Sequence, residues 1–310
     1  MAELLHTAAY MYDVVIVGGG PAGLSAALVL GRCRRRVLLC DAGTPRNQRA
    51  HELHGYLTRD GTPPLDLLRA GRRELHPYGI ELRDVRVTDI ETRADGFTVS
   101  MADGRAADAR TVLIAGGITD ALPDIPGLDQ CYGVTAHHCP YCDGWEEREK
   151  TIAIVGNGAS GTALALALKT WSERVLLCTH GRARLQGEHR KQLAAHAIEL
   201  HDRRIEQVEH DHGRVKYLVL AGGDRIACEA IFLSTQQRPQ CELPKQLGCA
   251  LTNRGLVKTD HLGQTRVPGL YVAGDASRDV QFVVVAAAEG AKAGVAINKA
   301  LQARAGLAVT

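Results

Sequence analysis

No stretch of the sequence is long and apolar enough to span a bilayer, so a protein embedded in a membrane is not expected. Neither sign of charge is in excess. The formal net charge is +2 at pH 7, too balanced to imply a nucleic acid or a membrane surface as partner. The opening residues 1–10 lack the basic start and apolar core of a secretory signal, and a cytoplasmic setting is expected. In that setting nine cysteines do not read as a disulfide framework. A zinc centre could recruit Cys131, His137 or His138, but the sequence has one C-x-x-C, at Cys139 and Cys142. It lacks the second C-x-x-C, or the H-x₃₋₅-H pair, that such a centre needs, and no metal is expected. The other cysteines have plain readings. Cys40 and Cys178 end apolar runs, Cys33, Cys228 and Cys249 are isolated, and Cys131 and Cys241 have no partner at motif spacing. His137 and His138 read as exposed rather than as tuning the dithiol.

What is present is glycine in a set pattern. The apolar run Val14–Val17 opens into Gly18-x-Gly20-x-x-Gly23, and Ile152–Val155 opens into Gly156-x-Gly158-x-x-Gly161. At the same sequence offset, Arg36-Val37-Leu38-Leu39-Cys40 recurs as Arg174-Val175-Leu176-Leu177-Cys178. The chain thus carries two copies of a nucleotide-binding β-α-β unit with a vicinal dithiol between them. With 310 residues, 45% of them hydrophobic, it can bury two ordinary cores, and two domains are expected. In the first copy Gly18 permits the tight turn, Gly20 lets backbone approach a pyrophosphate, and Gly23 lets helix pack on strand. Leu24–Leu30 then opens a helix, whose N-terminus presents free N–H groups to the phosphates. Asp41, at the end of the second strand, is placed to accept from a ribose 2′-hydroxyl.

Residues 42–66 are rich in turn formers, as a ligand-covering loop would be. Strands are expected at Val85–Ile90, Phe97–Met101 and Thr111–Ala115, with a hairpin turn at Asp103-Gly104. Further strands are expected at Val215–Leu220 and Ala230–Leu233. Prolines at 123 and 126 mark one crossing between domains, and those at 239 and 244 bracket the return. Gly269–Asp275 reads as a strand ending in Gly-Asp, and 281–301 as an alanine-rich helix whose N-terminus stands beside Asp275.

These features together resemble the low-molecular-weight thioredoxin reductases and their flavoprotein relatives, of the class II pyridine nucleotide-disulfide oxidoreductases. The residues that carry the resemblance are Gly18, Gly20 and Gly23; Ala115-Gly116-Gly117; Cys139–Gly144; Gly156, Gly158 and Gly161; and Ala273-Gly274-Asp275. It implies an α/β fold of two Rossmann-like, three-layer ββα domains. Residues 1–118 and 243–310 would form a split FAD-binding domain, and 119–242 a smaller inserted NAD(P)H-type domain carrying the dithiol. Gly18, Gly20, Pro21, Ala22 and Gly23 would hold the FAD pyrophosphate, Asp41 the adenosine ribose and Asp275 the ribityl chain. Backbone around Gln281 and Phe282 would face the pyrimidine edge of the flavin, with Asn47 and His54 of the covering loop lining the flavin and Gly116 also among the cofactor-binding residues. Cys142 would attack the isoalloxazine, Cys139 would meet the substrate, and Asp143 would manage the thiol proton. A homodimer acting on a thioredoxin-like protein or a small dithiol follows from the same likeness.

The second site departs from the family. Asp41 maps onto Thr179, so no acid is offered to a ribose, and NAD is disfavoured. Cations for an NADP 2′-phosphate are reduced to Arg182 and Arg184 in altered positions, beside the Gly156, Gly158 and Ser160 turn. The expectation is an FAD-dependent dithiol–disulfide oxidoreductase for which NADPH is a poor donor. Kept open beside it are a conventional NADPH-dependent thioredoxin reductase, a dithiol oxidase using O₂, and a non-enzymatic flavin redox sensor.

Overall fold

The computed structural model describes residues 11–278 and 280–307, which divide into two compact units. The chain starts with β1 (Tyr12–Val17), α1 (Pro21–Arg32), β2 (Val37–Cys40), α2 (Pro64–Leu75) and β3 (Glu81–Arg83). An antiparallel run follows through β4 (Val87–Arg93), β5 (Gly96–Met101) and β6 (Ala106–Ile114), with a tight turn at Asp103-Gly104. The chain leaves by β7 (Ile118–Ala121). Next come α3 (Leu128–Cys131), β8 (Ala136–His137), α4 (Pro140–Asp143), β9 (Ile152–Val155), α5 (Gly158–Leu168) and β10 (Val175–Cys178). They are followed by α6 (Gly187–Ala195), β11 (Glu199–His201), β12 (Ile205–Asp211), β13 (Arg214–Leu220), β14 (Arg225–Ala227) and β15 (Ala230–Leu233). The return runs through β16 (Gln236–Pro239), which pairs with β7, to α7 (Leu243–Gln246), β17 (Leu270–Val272) and α8 (Val283–Arg304).

The first unit holds residues up to Gln48, Pro64–Thr119 and the segment from Gln237 onward. Its sheet runs β3-β2-β1-β6-β5-β4, and β17 also pairs with β6. β6 serves two partners on one edge: its first half pairs antiparallel with β5, and its second half parallel with β17. The strand β1 is apolar throughout because both faces are covered. Val14 and Ile16 pack with α1 and α8 on one side, while Val15 and Val17 pack with β4 and β5 on the other. The run Thr111–Ala115 is thus the buried second half of a longer strand.

The second unit holds 120–236 together with 49–63. Its parallel sheet runs β11-β10-β9-β15-β8, with the antiparallel ribbon β12-β13-β14 on one face. Again the strand residues alternate, Ile152 and Ile154 facing the helices and Ala153 and Val155 facing the ribbon. The repeat seen in sequence is therefore a repeat of architecture, and both units are Rossmann-like α/β folds. The return crossing falls at 236/237 rather than 242/243. The segment 49–63 goes with the second unit because Arg49 donates to the Asp129 carbonyl at 2.9 Å and its backbone lies against Gly133.

Candidate functional site

In the first unit the glycine turn is set by close contact. Gly18 has φ +106°, and a Cβ there would stand 2.5 Å from the Ala115 carbonyl oxygen. At Gly23 a Cβ would stand 1.9 Å from the Gly18 oxygen, so the helix packs where only glycine fits. Gly20 is different: no atom lies within 4 Å of its would-be Cβ. It is also the N-cap of α1 and offers no side chain to the first-turn N–H groups. Pro21 follows at N1, where its lack of an N–H costs nothing. The result is an open helix N-terminus that can admit phosphate oxygens. Asp41 stands beside Gly19, its carboxylate bound by the Arg72 guanidinium at 2.6 Å and by the Gly43 N–H. Arg72 gave no signal in the sequence, being one of several arginines on α2.

In the same unit, Asp275 and Gln281 are drawn together by a residue not anticipated as part of the site. Arg46 donates to the Asp275 carboxylate at 3.0 Å and to the Gln281 side-chain oxygen at 2.8 Å. Gln281 and Gln237 exchange amide hydrogen bonds, each at 2.8 Å. Phe282 is the N-cap of α8. Gly116 follows β6, with the Cys241 sulfur 3.5 Å from where its Cβ would be. Asn47 belongs to this unit, whereas His54 lies in the other, amid Glu52, Asp60 and Glu146 at 3.6–3.8 Å. One unit thus gathers all the expected cofactor residues except His54.

In the second unit Cys139 and Cys142 form a disulfide across the start of α4, with Cα atoms 5.2 Å apart. Cys139 is the N-cap, and its carbonyl accepts from the N–H groups of Cys142 and Asp143. The aromatic rings beside the disulfide, Tyr141 and Trp145, are exposed. The expectation that His137 is exposed is overturned. Its ring is buried at 8% exposure, where β8 pairs with β15 in register with Phe232 and the two rings lie 5.4 Å apart. Nδ1 lies 3.3 Å from the Asp143 carboxylate, and Nε2 lies 3.3 Å from the Glu147 carboxylate. Glu147 is buried as well and is bound by Lys150 at 2.6 Å. Spacing carried a signal here: Asp143 and Glu147 are four apart on one helical turn, hence on one face. His138 is held separately, its Nδ1 at 2.8 Å from the Tyr132 hydroxyl.

Both ring nitrogens of His137 face carboxylate oxygens, and a neutral imidazole has only one N–H to offer. Burial alone would lower its pKa, but the bonds to Asp143 and Glu147 outweigh it and raise the value to about 9. A histidine raised in the fold stabilises it in full below its unfolded value of about 6.5, and that contribution is gone once the pH passes through the folded value. The melting temperature of the protein should therefore fall as pH rises from about 7 through 9, and that slope should flatten in His137→Asn. Scanning fluorimetry of both proteins across that range measures it. An equal slope in the two would refute the assignment.

The second glycine turn is built like the first but closed. Gly156 and Gly161 crowd each other as Gly18 and Gly23 do. At the N-cap of α5, however, Asn157 replaces the bare glycine. Its Oδ1 accepts the N–H groups of Gly158 and Arg184, each at 2.8 Å, and its Nδ2 donates to the carbonyls of Thr179 and Arg182. The side chain therefore takes up the helix-end donor that phosphate would need and ties the turn to the loop after β10. Thr179 is buried and donates to the Gly181 carbonyl; His180 accepts from the Ile205 N–H. Arg182, Arg184 and Ser160 are exposed. The Gly158 N–H at this helix end is thereby already bonded within the protein.

The thiols removed from solvent are poor nucleophiles. Burial pushes Cys40 and Cys131 up to about 11 and Cys228 to about 12, and raises Cys178, Cys241 and Cys249. Among the described residues no group of His, Cys, Asp and Glu could hold a metal ion, and no helix is long and apolar enough to cross a membrane.

Comparison with known proteins agrees with this geometry. Residues 12–290 match the model of the pyridine nucleotide-disulphide oxidoreductase family. Thioredoxin reductase aclD of Aspergillus oryzae is 28% identical over 94% of this chain and 96% of its own. The crystal structure of HlmI superposes with a TM-score of 0.91 at 35% identity, over 95% of this chain and 94% of that one. An oxidoreductase from Agrobacterium tumefaciens does so with a TM-score of 0.87 at 34% identity, over 94% and 98% of the two chains.

Proposed function

The chain belongs to the pyridine nucleotide-disulphide oxidoreductase family, in its thioredoxin reductase-like branch, and from that premise we propose an FAD-dependent dithiol–disulfide oxidoreductase that makes little use of NADPH. By that membership it is a flavoprotein thiol–disulfide oxidoreductase. A bound FAD supplies a two-electron store. The pyrophosphate is assigned to Gly18, Gly20, Pro21, Ala22 and Gly23, the adenosine ribose to Asp41 and the ribityl chain to Asp275. Gly116, Gln281 and Phe282 are assigned to the ring, with Asn47 and His54 beside it.

Cys139 meets the sulfur partner, a thioredoxin-like protein or a small dithiol, and Cys142 faces the flavin. When a dithiol partner is oxidised, its two electrons pass to the Cys139–Cys142 bond, which opens, and its two protons are released. Asp143, next in sequence to Cys142, carries the proton that the opened sulfur takes up. The same steps reversed reduce a partner disulfide. A homodimer in the cytoplasm is the setting inferred for this work.

The observation that supports this reading is the contrast between two like turns. One helix N-terminus is open at Gly20; the other is occupied by the side chain of Asn157. The exposed Arg182 and Arg184 favour a second reading, in which NADPH enters after the Asn157 tie is broken. Anaerobic titration separates the two. Dithiothreitol or dithionite should bleach the yellow flavin, while excess NADPH should leave it nearly unchanged. Rapid bleaching by micromolar NADPH would establish the second reading, and protein purified without flavin would end both.

A further inference from the structure

The cluster behind the disulfide has a use that the family assignment does not supply. Resting on the function proposed above, we infer that His137 positions the Asp143 carboxyl and stores the proton that Asp143 passes to the departing Cys142 sulfur. Three features of geometry carry this. The ring is buried and wedged against Phe232, so it has little freedom to turn. Its Nδ1 meets Asp143 and its Nε2 meets Glu147, each at 3.3 Å, so both nitrogens hold protons when the cluster is intact. Asp143 directly follows Cys142, so the carboxyl fixed by His137 belongs to the residue beside the leaving sulfur.

The charged groups facing the ring are Asp143 on α4, Glu147 on the following turn, and Lys150 behind Glu147; β15 presents the uncharged Phe232. An imidazolium between two carboxylates, with an ammonium behind one of them, leaves the buried cluster without net charge. The step balances. An incoming thiolate bonds to the Cys139 sulfur, the Cys139–Cys142 bond breaks, and the electron pair leaves on the Cys142 sulfur. The Asp143 carboxylate takes the proton from Nδ1 of His137, which becomes neutral, and hands it to that sulfur. A leaving thiol departs faster when its developing charge is lowered. In the reverse direction the ring takes the proton back.

Disulfide opening by dithiothreitol, in the purified protein, tests this without flavin turnover or a native partner. The rate is read by alkylation and mass spectrometry and expressed per dithiothreitol thiolate. Wild-type protein should show a flat rate near neutral pH that falls as pH passes about 9. His137→Asn keeps an amide donor where Nδ1 stood, and so still holds the Asp143 carboxyl, but it has no proton to give; it should lose part of the neutral-pH rate and all of the alkaline fall. His137→Gln places its amide where Nε2 stood, towards Glu147, and should lose about tenfold or more, the scale of lost general acid–base help. Glu147→Gln should move the alkaline fall to lower pH, since one of the two stabilising charges is gone.

An Asn variant no faster than the Gln variant would overturn the proposal. So would an alkaline fall that persists in His137→Asn or does not move in Glu147→Gln. Wild-type protein that opens its disulfide with this profile, yet exchanges no electrons with flavin, would defeat the function above and leave this role intact.

Discussion

Cys142→Ser should lower turnover with any dithiol or disulfide substrate by at least about a thousandfold while flavin stays bound and yellow. The physical reason is that both halves of the chemistry run through one sulfur–sulfur bond. A serine hydroxyl is nearly isosteric but cannot form that bond, and it is not deprotonated near neutral pH. None of the seven other cysteines can stand in, because Cys33 is exposed on the other unit and the buried thiols are held protonated. Flavin should be retained, since all the residues assigned to its phosphates and ribityl chain lie in the first unit, whereas Cys142 lies in the second. Steady-state turnover with dithiothreitol or a thioredoxin, alongside the flavin spectrum, gives the answer. A variant keeping a tenth of wild-type activity would rule out the dithiol as the route of electrons.

Gly290→Val is the second large effect, and here the loss is of structure first. Helix α8 crosses α1 so closely that a Cβ on Gly290 would stand 1.9 Å from the Ala22 carbonyl oxygen. Backbone cannot yield as a flexible side chain would, so the two helices must separate. Overpacking at such a contact costs about 1–3 kcal/mol, occasionally more, and valine in place of glycine here belongs at the upper end. Ala22 sits in the first turn of α1, where the phosphates are assigned, so separation also disturbs the cofactor seat. The expected result is a clear drop in the urea midpoint and loss of flavin during purification. A variant that stays yellow with an unchanged midpoint would show that α8 can shift freely.

Much of the fold was legible because it is written in short-range patterns. The strands Val37–Cys40 and Ala230–Leu233 lie where their apolar runs end, and the turn at Asp103-Gly104 lies where a hairpin needs one. Boundaries were less legible. The helix read from Leu24 begins at Pro21, because its first residues are glycine-rich and carry no apolar period. The strand read from Thr111 begins at Ala106, because its first half pairs with β5 and carries alanines and an aspartate.

The site divides in the same way. Gly18, Gly20, Gly23, Cys139 and Cys142 were legible because their chemistry depends on residue type at fixed spacing. His137 was misjudged because exposure is not a property of spacing; it is decided by which strand β8 pairs with, and Phe232 is almost a hundred positions away. Arg46, Arg72 and Gln237 went unseen for a like reason, each meeting its partner across a long loop or across the inserted unit. Asn157 also went unseen, because three of its four hydrogen bonds reach residues of the loop after β10.

By itself the sequence determined the two glycine turns, the repeat that doubles them and the pair of sulfurs between, since backbone sterics and bond spacing act over a few residues. Only the tertiary structure decided which turn stays open, which carboxylates surround His137 and which helix lies against Ala22. Those outcomes depend on groups distant in the chain being brought within hydrogen-bond or contact range, and such ranges are set by packing.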